Sequence, residues 1–259
     1  MQAVEIIQPP EVSLADAMKY LSSFLLVAHI ITGTVAVAVG LVALVTRKPV
    51  ESPAGRTHRK SGKLFLYSMC VVIGTATVLT FISLNPYFAG LTASATVAVF
   101  SGYRVLRRKR PDLNANERAQ AVDWIVTLVV FAVGVMLVVL GASGRIVQRL
   151  PVVYSLGVGS IVYAGYDLYR FVRPLARPFS PNLWLYEYLV KMIGGYFGAV
   201  AAFSGSVLVL LPEPWRQLWA TSLGQILAIV LVIYYRRRLK ARKAHDKQND
   251  SPQFALSNR

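Results

Sequence analysis

Six residues stand out for chemistry because each lies within or beside a long apolar run: His29, Thr32, Asp123, Asp167, Glu187 and Lys191. Ionisable groups are costly in hydrocarbon, so where they occur they mark ion or substrate paths, proton relays or ligand sites. His29 has Ser22 two helical turns before it and Thr32 and Gly33 one turn after, a polar seam along one helix face. An imidazole, with an ordinary pKa near about 6.5, can relay protons, ligate a metal or haem, or hold two helices together by a hydrogen bond. Expected partners for it are the hydroxyls and amide of Thr80, Ser83, Thr92, Ser94, Ser204, Ser206, Thr221, Ser222 and Gln225.

Asp123, Asp167, Glu187 and Lys191 form a second constellation. Asp167 and Arg170 are one turn apart. Glu187 and Lys191 have the i,i+4 spacing with acid before base, the favourable order for an ion pair on one helix face. Tyr163, Tyr166, Tyr169, Tyr186, Tyr188 and Tyr196 surround them in sequence. Ion pairing that fixes helix register and a gate or substrate site are both open readings. A third candidate is the run Arg56, His58, Arg59, Lys60 and Lys63, where cations and the glycine Gly62 at a helix start suit a phosphate or lipid headgroup. Ordinary charge beside a membrane is the alternative there.

The elements that must position these groups follow from composition. The 259 residues are 55% hydrophobic and only 15% charged, yet they carry a formal net charge of +16. Mean hydropathy is +0.50. A single cysteine, Cys70, rules out an intrachain disulfide framework. A transmembrane helix needs about 20 mainly apolar residues. Seven segments qualify: 20–46, 63–84, 87–106, 122–141, 152–171, 184–211 and 215–235. The expected fold is all-α, a seven-helix transmembrane bundle over 20–235, with an external segment 1–19 and a basic cytoplasmic tail 236–259. Asn114 with Glu117 predicts a capping box that starts helix four before the membrane, and Ser180-Pro181 predicts a cap ahead of helix six.

Cations sort to one side. Of the 28 lysines and arginines, 23 fall in 47–63, 104–118, 170–177 and 236–259; Lys19, Arg145, Arg149 and Arg216 fall on the other side, and Lys191 lies within a span. The positive-inside rule then predicts a bacterial inner-membrane protein with its N-terminus outside and its C-terminus cytoplasmic. No basic region precedes an apolar one at the N-terminus, so a cleavable signal peptide is not expected. Cations scattered over loops suit anionic lipid headgroups on the cytoplasmic face and not a nucleic acid.

Small residues at helix-packing spacing, among them Gly33, Ala36, Gly40, Gly157, Gly194 and Gly198, predict close helix contacts. Helices one to three and five to seven share a pattern: a helix into a basic loop, then two helices joined by a short outer turn. A 3+1+3 arrangement with helix four as linker is one reading of it. Haem held by two histidines needs imidazoles at one depth. His29 and the inner loop that carries His58 are separated by 18 residues of helix one, about 27 Å. His245 lies in the tail.

His29 with Gly33, His58-Arg59 with Gly62 and Phe65, the run Lys191-Met192-Ile193-Gly194-Gly195-Tyr196 with Ala201-Ala202-Phe203, and Tyr235-Arg236-Arg237-Arg238 carry a resemblance. Over about 22–240 the chain resembles an uncharacterised family of bacterial predicted membrane proteins. The family pattern has a histidine three residues before the basic position of Lys191, where this chain has Tyr188. The resemblance implies a multi-pass membrane fold and no particular activity or cofactor. With no catalytic triad, no nucleophile–base pair and no zinc-ligand spacing, an enzyme is the class the residues support least. The leading expectation is a carrier for a small molecule or ion. The alternatives are an accessory subunit packed against other membrane-protein subunits, and a haem-binding redox protein.

Overall fold

The protein was analysed as a computed structural model that describes residues 13–46, 53–146, 149–174 and 182–249. The expected Ser180-Pro181 cap, much of the expected external segment and the end of the tail lie outside the described residues. The described residues form helices and turns only. These are α1 (Leu14–Val45), α2 (Pro53–Ser83), α3 (Pro86–Thr96), a π-helical turn (Val97–Ser101), α4 (Gly102–Val105), α5 (Ala121–Ala142), α6 (Leu150–Val172), α7 (Leu183–Val207) and α8 (Trp215–Asn249). A short 3-10 turn, Ala115–Glu117, precedes α5. α3, the π turn and α4 make one continuous rod.

Several helices extend beyond their apolar stretches. α1 starts at Leu14, where the Ser13 hydroxyl accepts the Asp16 N–H at 3.1 Å, so 14–19 of the expected external segment are helical. α2 starts at Pro53, ten residues before the expected start at Lys63. α8 runs through Arg236-Arg237-Arg238 to Asn249, making that part of the tail helical. α7, by contrast, ends at Val207 and not at 211. The physical reason is common to all: hydropathy locates the hydrocarbon-facing part of a helix, whereas caps and prolines locate its ends.

The expected Asn114–Glu117 capping box does not start α5. Asn114 accepts the Asn116 N–H, and Glu117 accepts the Arg110 backbone N–H at 2.7 Å, closing a compact turn. α5 begins seven residues after Asn114, at Ala121, where Asp123 accepts the Gln120 N–H at 2.8 Å. Asn85 caps α3 by accepting the Tyr87 N–H at 2.9 Å.

Five helical segments are long and apolar enough to cross a membrane: Leu14–Val45, Gly55–Ser83, Ala115–Ala142, Leu183–Val207 and Trp215–Arg242. Their outer faces are apolar, with Phe24, Ile125, Val129, Val139, Ile226 and Ile229 all exposed. The interior holds the charge instead. Asp123 (1% exposed), Asp167 (2%) and Lys191 (2%) are among the most buried side chains. In a soluble protein such acids and lysines are almost never fully buried. The inversion fits a chain whose surrounding solvent is lipid.

Three antiparallel hairpins, α1–α2, α5–α6 and α7–α8, pack around the α3–π–α4 rod. One apolar cluster joins Ala36, Phe65, Met69, Val99, Tyr196, Phe197 and Ala228; another joins Ala93, Val97, Val130 and Ala164. This does not have the symmetry of a 3+1+3 repeat. α1 lies closely along α2, but their counterparts in the second triplet, α6 and α7, meet through long side chains while α6 packs closely on α5.

In the α5–α6 hairpin two glycines bring backbone against backbone. A Cβ on Gly134 would sit 2.9 Å from the Gly157 carbonyl oxygen, and one on Gly157 3.1 Å from that of Gly134. Because backbone blocks the space, a side chain there must push the helices apart. Gly134→Leu is expected to cost about 1–3 kcal/mol, read as a lower midpoint of thermal unfolding in detergent. Gly159→Leu, whose Cβ meets open space, is the control.

Candidate functional site

The residues of the inner constellation come together, with partners that differ from the sequence expectation. Glu187 and Lys191 do not pair with each other. α6 and α7 run antiparallel, so Tyr163 faces Gly194, Asp167 faces Lys191, and Arg170 faces Glu187. Lys191 donates to the Asp167 carboxylate and, at 2.6 Å, to the Ser101 hydroxyl; Ser101 donates to the other oxygen of Asp167. Glu187 accepts from Arg170 Nε at 2.9 Å and from the Tyr166 hydroxyl at 2.6 Å. An i,i+4 pair on one helix is worth only about 0.2–0.5 kcal/mol. A buried ammonium gains more from a closed triad on two other elements.

Asp123 stands next to this network with a cation of its own. Arg104 grips it with two bonds of 2.7 Å, from Nε and Nη2, and Arg104 Nη2 also donates to Gln120 Oε1 at 2.9 Å. The π turn (Val97–Ser101) and the short α4 place Ser101 and Arg104 on the inward side. Gly102 lets α4 approach α7 closely, since a Cβ there would lie 3.2 Å from Lys191 Cβ and 3.0 Å from Met192 Sδ. π turns of this kind occur often at functional sites.

Arg108 was not singled out by the sequence. It stacks on the Phe171 ring, 4.6 Å from the centroid, and its Nε is buried without a hydrogen-bond partner among the described residues. Burial lowers the pKa of Arg108 from the ordinary arginine value, while Asp123, Asp167 and Glu187 pull it back up. Each of those three acids already has its own cation. Among the described residues Arg108 is therefore a surplus positive charge of the cluster, and guanidinium keeps its proton in proteins. Arg108, Asp167, Arg170 and Glu187, together with Arg118, Pro111 and Pro174, surround a cavity of about 30 Å³ at the end of the bundle. That is room for a single water or small ion.

His29 and Thr32 are not part of this cluster. His29 lies on the α1–α2 seam, where Nδ1 is 3.1 Å from Thr75 Oγ1 and 3.2 Å from the Val72 carbonyl oxygen. The carbonyl requires Nδ1 to be the protonated nitrogen. The Thr75 hydroxyl donates to Val71 and Val72 and so can accept from the same N–H. None of the partners expected for His29 reaches it. They satisfy one another or other groups instead: Thr80 with Thr92 at 3.4 Å, Ser94 with Ser160 at 3.2 Å, Gln225 with Tyr163 at 3.1 Å. Thr32 bonds back to the Ala28 carbonyl at 2.7 Å. His58 Nδ1 bonds the Ala43 carbonyl oxygen at 2.8 Å. Residues 29 and 43 of α1 are about 21 Å apart along the helix axis, so the two imidazoles do not share a depth.

The expected anion loop is not a loop. Arg56, Arg59, Lys60 and Lys63 lie on the first turns of α2 as one exposed stripe with i, i+3, i+4, i+7 spacing, while His58 points the other way, to α1. Gly62 falls inside the helix and makes no turn. The stripe suits a membrane surface better than an enclosed phosphate.

These features define an all-helical, multi-pass membrane protein whose interior gathers charge at one end. No protein-family model, curated protein or solved structure matches the chain.

Proposed function

We propose that the chain is a seven-span inner-membrane protein, N-terminus outside and C-terminus cytoplasmic, that carries a small inorganic anion. Two further crossings complete the five long apolar helices. The α3–π–α4 rod and α6 each reach about 30 Å or more, enough to cross the hydrocarbon core. The sorted cations on the cytoplasmic side meet anionic headgroups, and the family resemblance belongs to the same proposal.

The observation that carries the reading is the small cavity at the cationic end, with the surplus cation Arg108 in its wall and Asp167 bordering it. An anion entering from the aqueous side meets Arg118 and Arg108 first. Arg170, paired with Glu187, also lines the cavity, and Lys191 lies behind Asp167, held by Asp167 and Ser101.

Chloride uptake into proteoliposomes tests this. Wild-type protein is expected to take up chloride above protein-free vesicles. Arg108→Gln is expected to lower uptake at least tenfold while the thermal midpoint falls by no more than the loss of its stacking on Phe171, because among the described residues Arg108 makes no hydrogen bond or ion pair of its own. Absence of uptake by wild-type protein, or equal uptake by Arg108→Gln, overturns the reading.

A further inference from the structure

α7 has a second working face. Glu187 and Lys191 look toward α6, whereas Leu185, Tyr188, Leu189, Met192 and Tyr196 line a groove of about 900 Å³ bounded by α1, α2 and α8. That volume is in the range of pockets for extended organic ligands, about 300–1,000 Å³. Its walls are mainly hydrocarbon and aromatic: Leu44, Phe65, Ile193 and Leu231 join those residues.

The mouth is cationic. Leu231, Tyr235, Arg238, Leu239 and Arg242 share one face of α8 at i, i+4, i+7, i+8, i+11 spacing, and all line the groove. Between Tyr235 and Arg238 this face changes from apolar to basic, as expected where a helix leaves hydrocarbon for the headgroup layer. His58 lies at the same end, fixed by its bond to the Ala43 carbonyl. A hydrocarbon chain gains little by moving from a bilayer into an equally apolar groove. Selection between ligands therefore falls to the headgroup and the two arginines, whose guanidinium forks match phosphate oxygens.

We infer that this groove holds one anionic phospholipid, with its acyl chain between α1, α2, α7 and α8 and its phosphate on Arg238 and Arg242. The inference is independent of the anion path, which lies on the opposite face of α7. It also assigns a role to Tyr188, whose ring lines the groove.

Gly62 offers a clean obstruction. It lines the groove, and a Cβ placed on it meets nothing within 4 Å. Gly62→Phe is therefore expected to fill the groove without displacing the fold.

The full chain is reconstituted in nanodiscs of equal phosphatidylglycerol and phosphatidylethanolamine, released, and weighed by native mass spectrometry. Wild-type protein is expected to retain one lipid, with phosphatidylglycerol favoured roughly tenfold or more. Arg238→Gln with Arg242→Gln is expected to keep a retained lipid and lose the preference. Gly62→Phe is expected to lose the retained lipid while its thermal midpoint in lipid-free detergent is unchanged. Arg56→Gln with Lys60→Gln, on the exposed stripe of α2, is expected to behave as wild type. No retained lipid in the wild type, or an unchanged preference in the α8 variant, overturns the assignment. So does retention of zwitterionic phosphatidylethanolamine in place of phosphatidylglycerol, or a preference lost only in the α2 variant.

Discussion

Lys191→Met is expected to cost the bundle about 3–5 kcal/mol, the range for breaking one side of a buried ion pair. Both side chains of the Lys191–Asp167 pair are only 3% exposed. Removing the ammonium leaves the Asp167 carboxylate with a single donor among the described residues, the Ser101 hydroxyl, and with the Glu187 carboxylate nearby on α7. Asp167→Asn is expected to cost a comparable amount, because an amide oxygen still accepts from Ser101 or Lys191 but cannot neutralise the buried ammonium. The double variant Lys191→Met with Asp167→Asn is expected to recover most of the loss, since no uncompensated charge remains. Thermal or denaturant unfolding in detergent, arranged as a double-mutant cycle, reads the coupling. Additive losses from the two single changes would show that the pair does not act as a unit.

Asp123→Ala carries the second large effect, about 4 kcal/mol. About 1 kcal/mol comes from the lost cap on α5, and about 3 kcal/mol from the stranded Arg104 guanidinium, which is 10% exposed. The two parts can be separated. Asp123→Asn keeps an oxygen for the Gln120 N–H but cannot neutralise Arg104, so it is expected to lose the larger part and keep the smaller. Arg104→Lys is not conservative at this position, because one ammonium cannot reproduce the two bonds of 2.7 Å to Asp123 and the third contact to Gln120. A loss below about 1 kcal/mol for Asp123→Ala, measured by unfolding, would mean that the Arg104 contact adds nothing to stability.

Both effects rest on partners that the sequence concealed. The helical class and the apolar segments were legible because lipid imposes about 20 apolar residues per crossing wherever a helix faces it. The identity of Asp167, Glu187 and Lys191 as interior groups was legible for the same reason, since charge in such segments has to be sheltered. Their pairing was not. Spacing along one chain points to Glu187 with Lys191, whereas the antiparallel register of α6 and α7 sends each to a residue on α6.

Arg104 and Arg108 were read with the cations of an inner loop. They belong to the end of the α3–π–α4 rod and the turn after it, where they face inward. A signal was available for Arg104: an arginine in the last turn of one helix, with Asp123 in the first turn of the next. The π turn itself has no local signature, since Val97-Ala98-Val99-Phe100-Ser101 contains no proline or glycine. His29 illustrates the opposite case. Its polar seam was visible and does face a neighbouring helix, yet its partners are Thr75 and a backbone carbonyl on α2 in place of the more distant hydroxyls.

Side-specific labelling tests the sidedness on which the anion path and the lipid groove both depend. In a Cys70→Ser background, single cysteines replace Leu14, Arg118, Arg145 or Arg242, all exposed positions. A membrane-impermeant maleimide applied to intact cells is expected to label the cysteines at 14 and 145 and to spare those at 118 and 242; inside-out vesicles are expected to give the reverse. Labelling of 118 or 242 from outside, or of all four from one side, would contradict a bundle whose cationic end faces the cytoplasm.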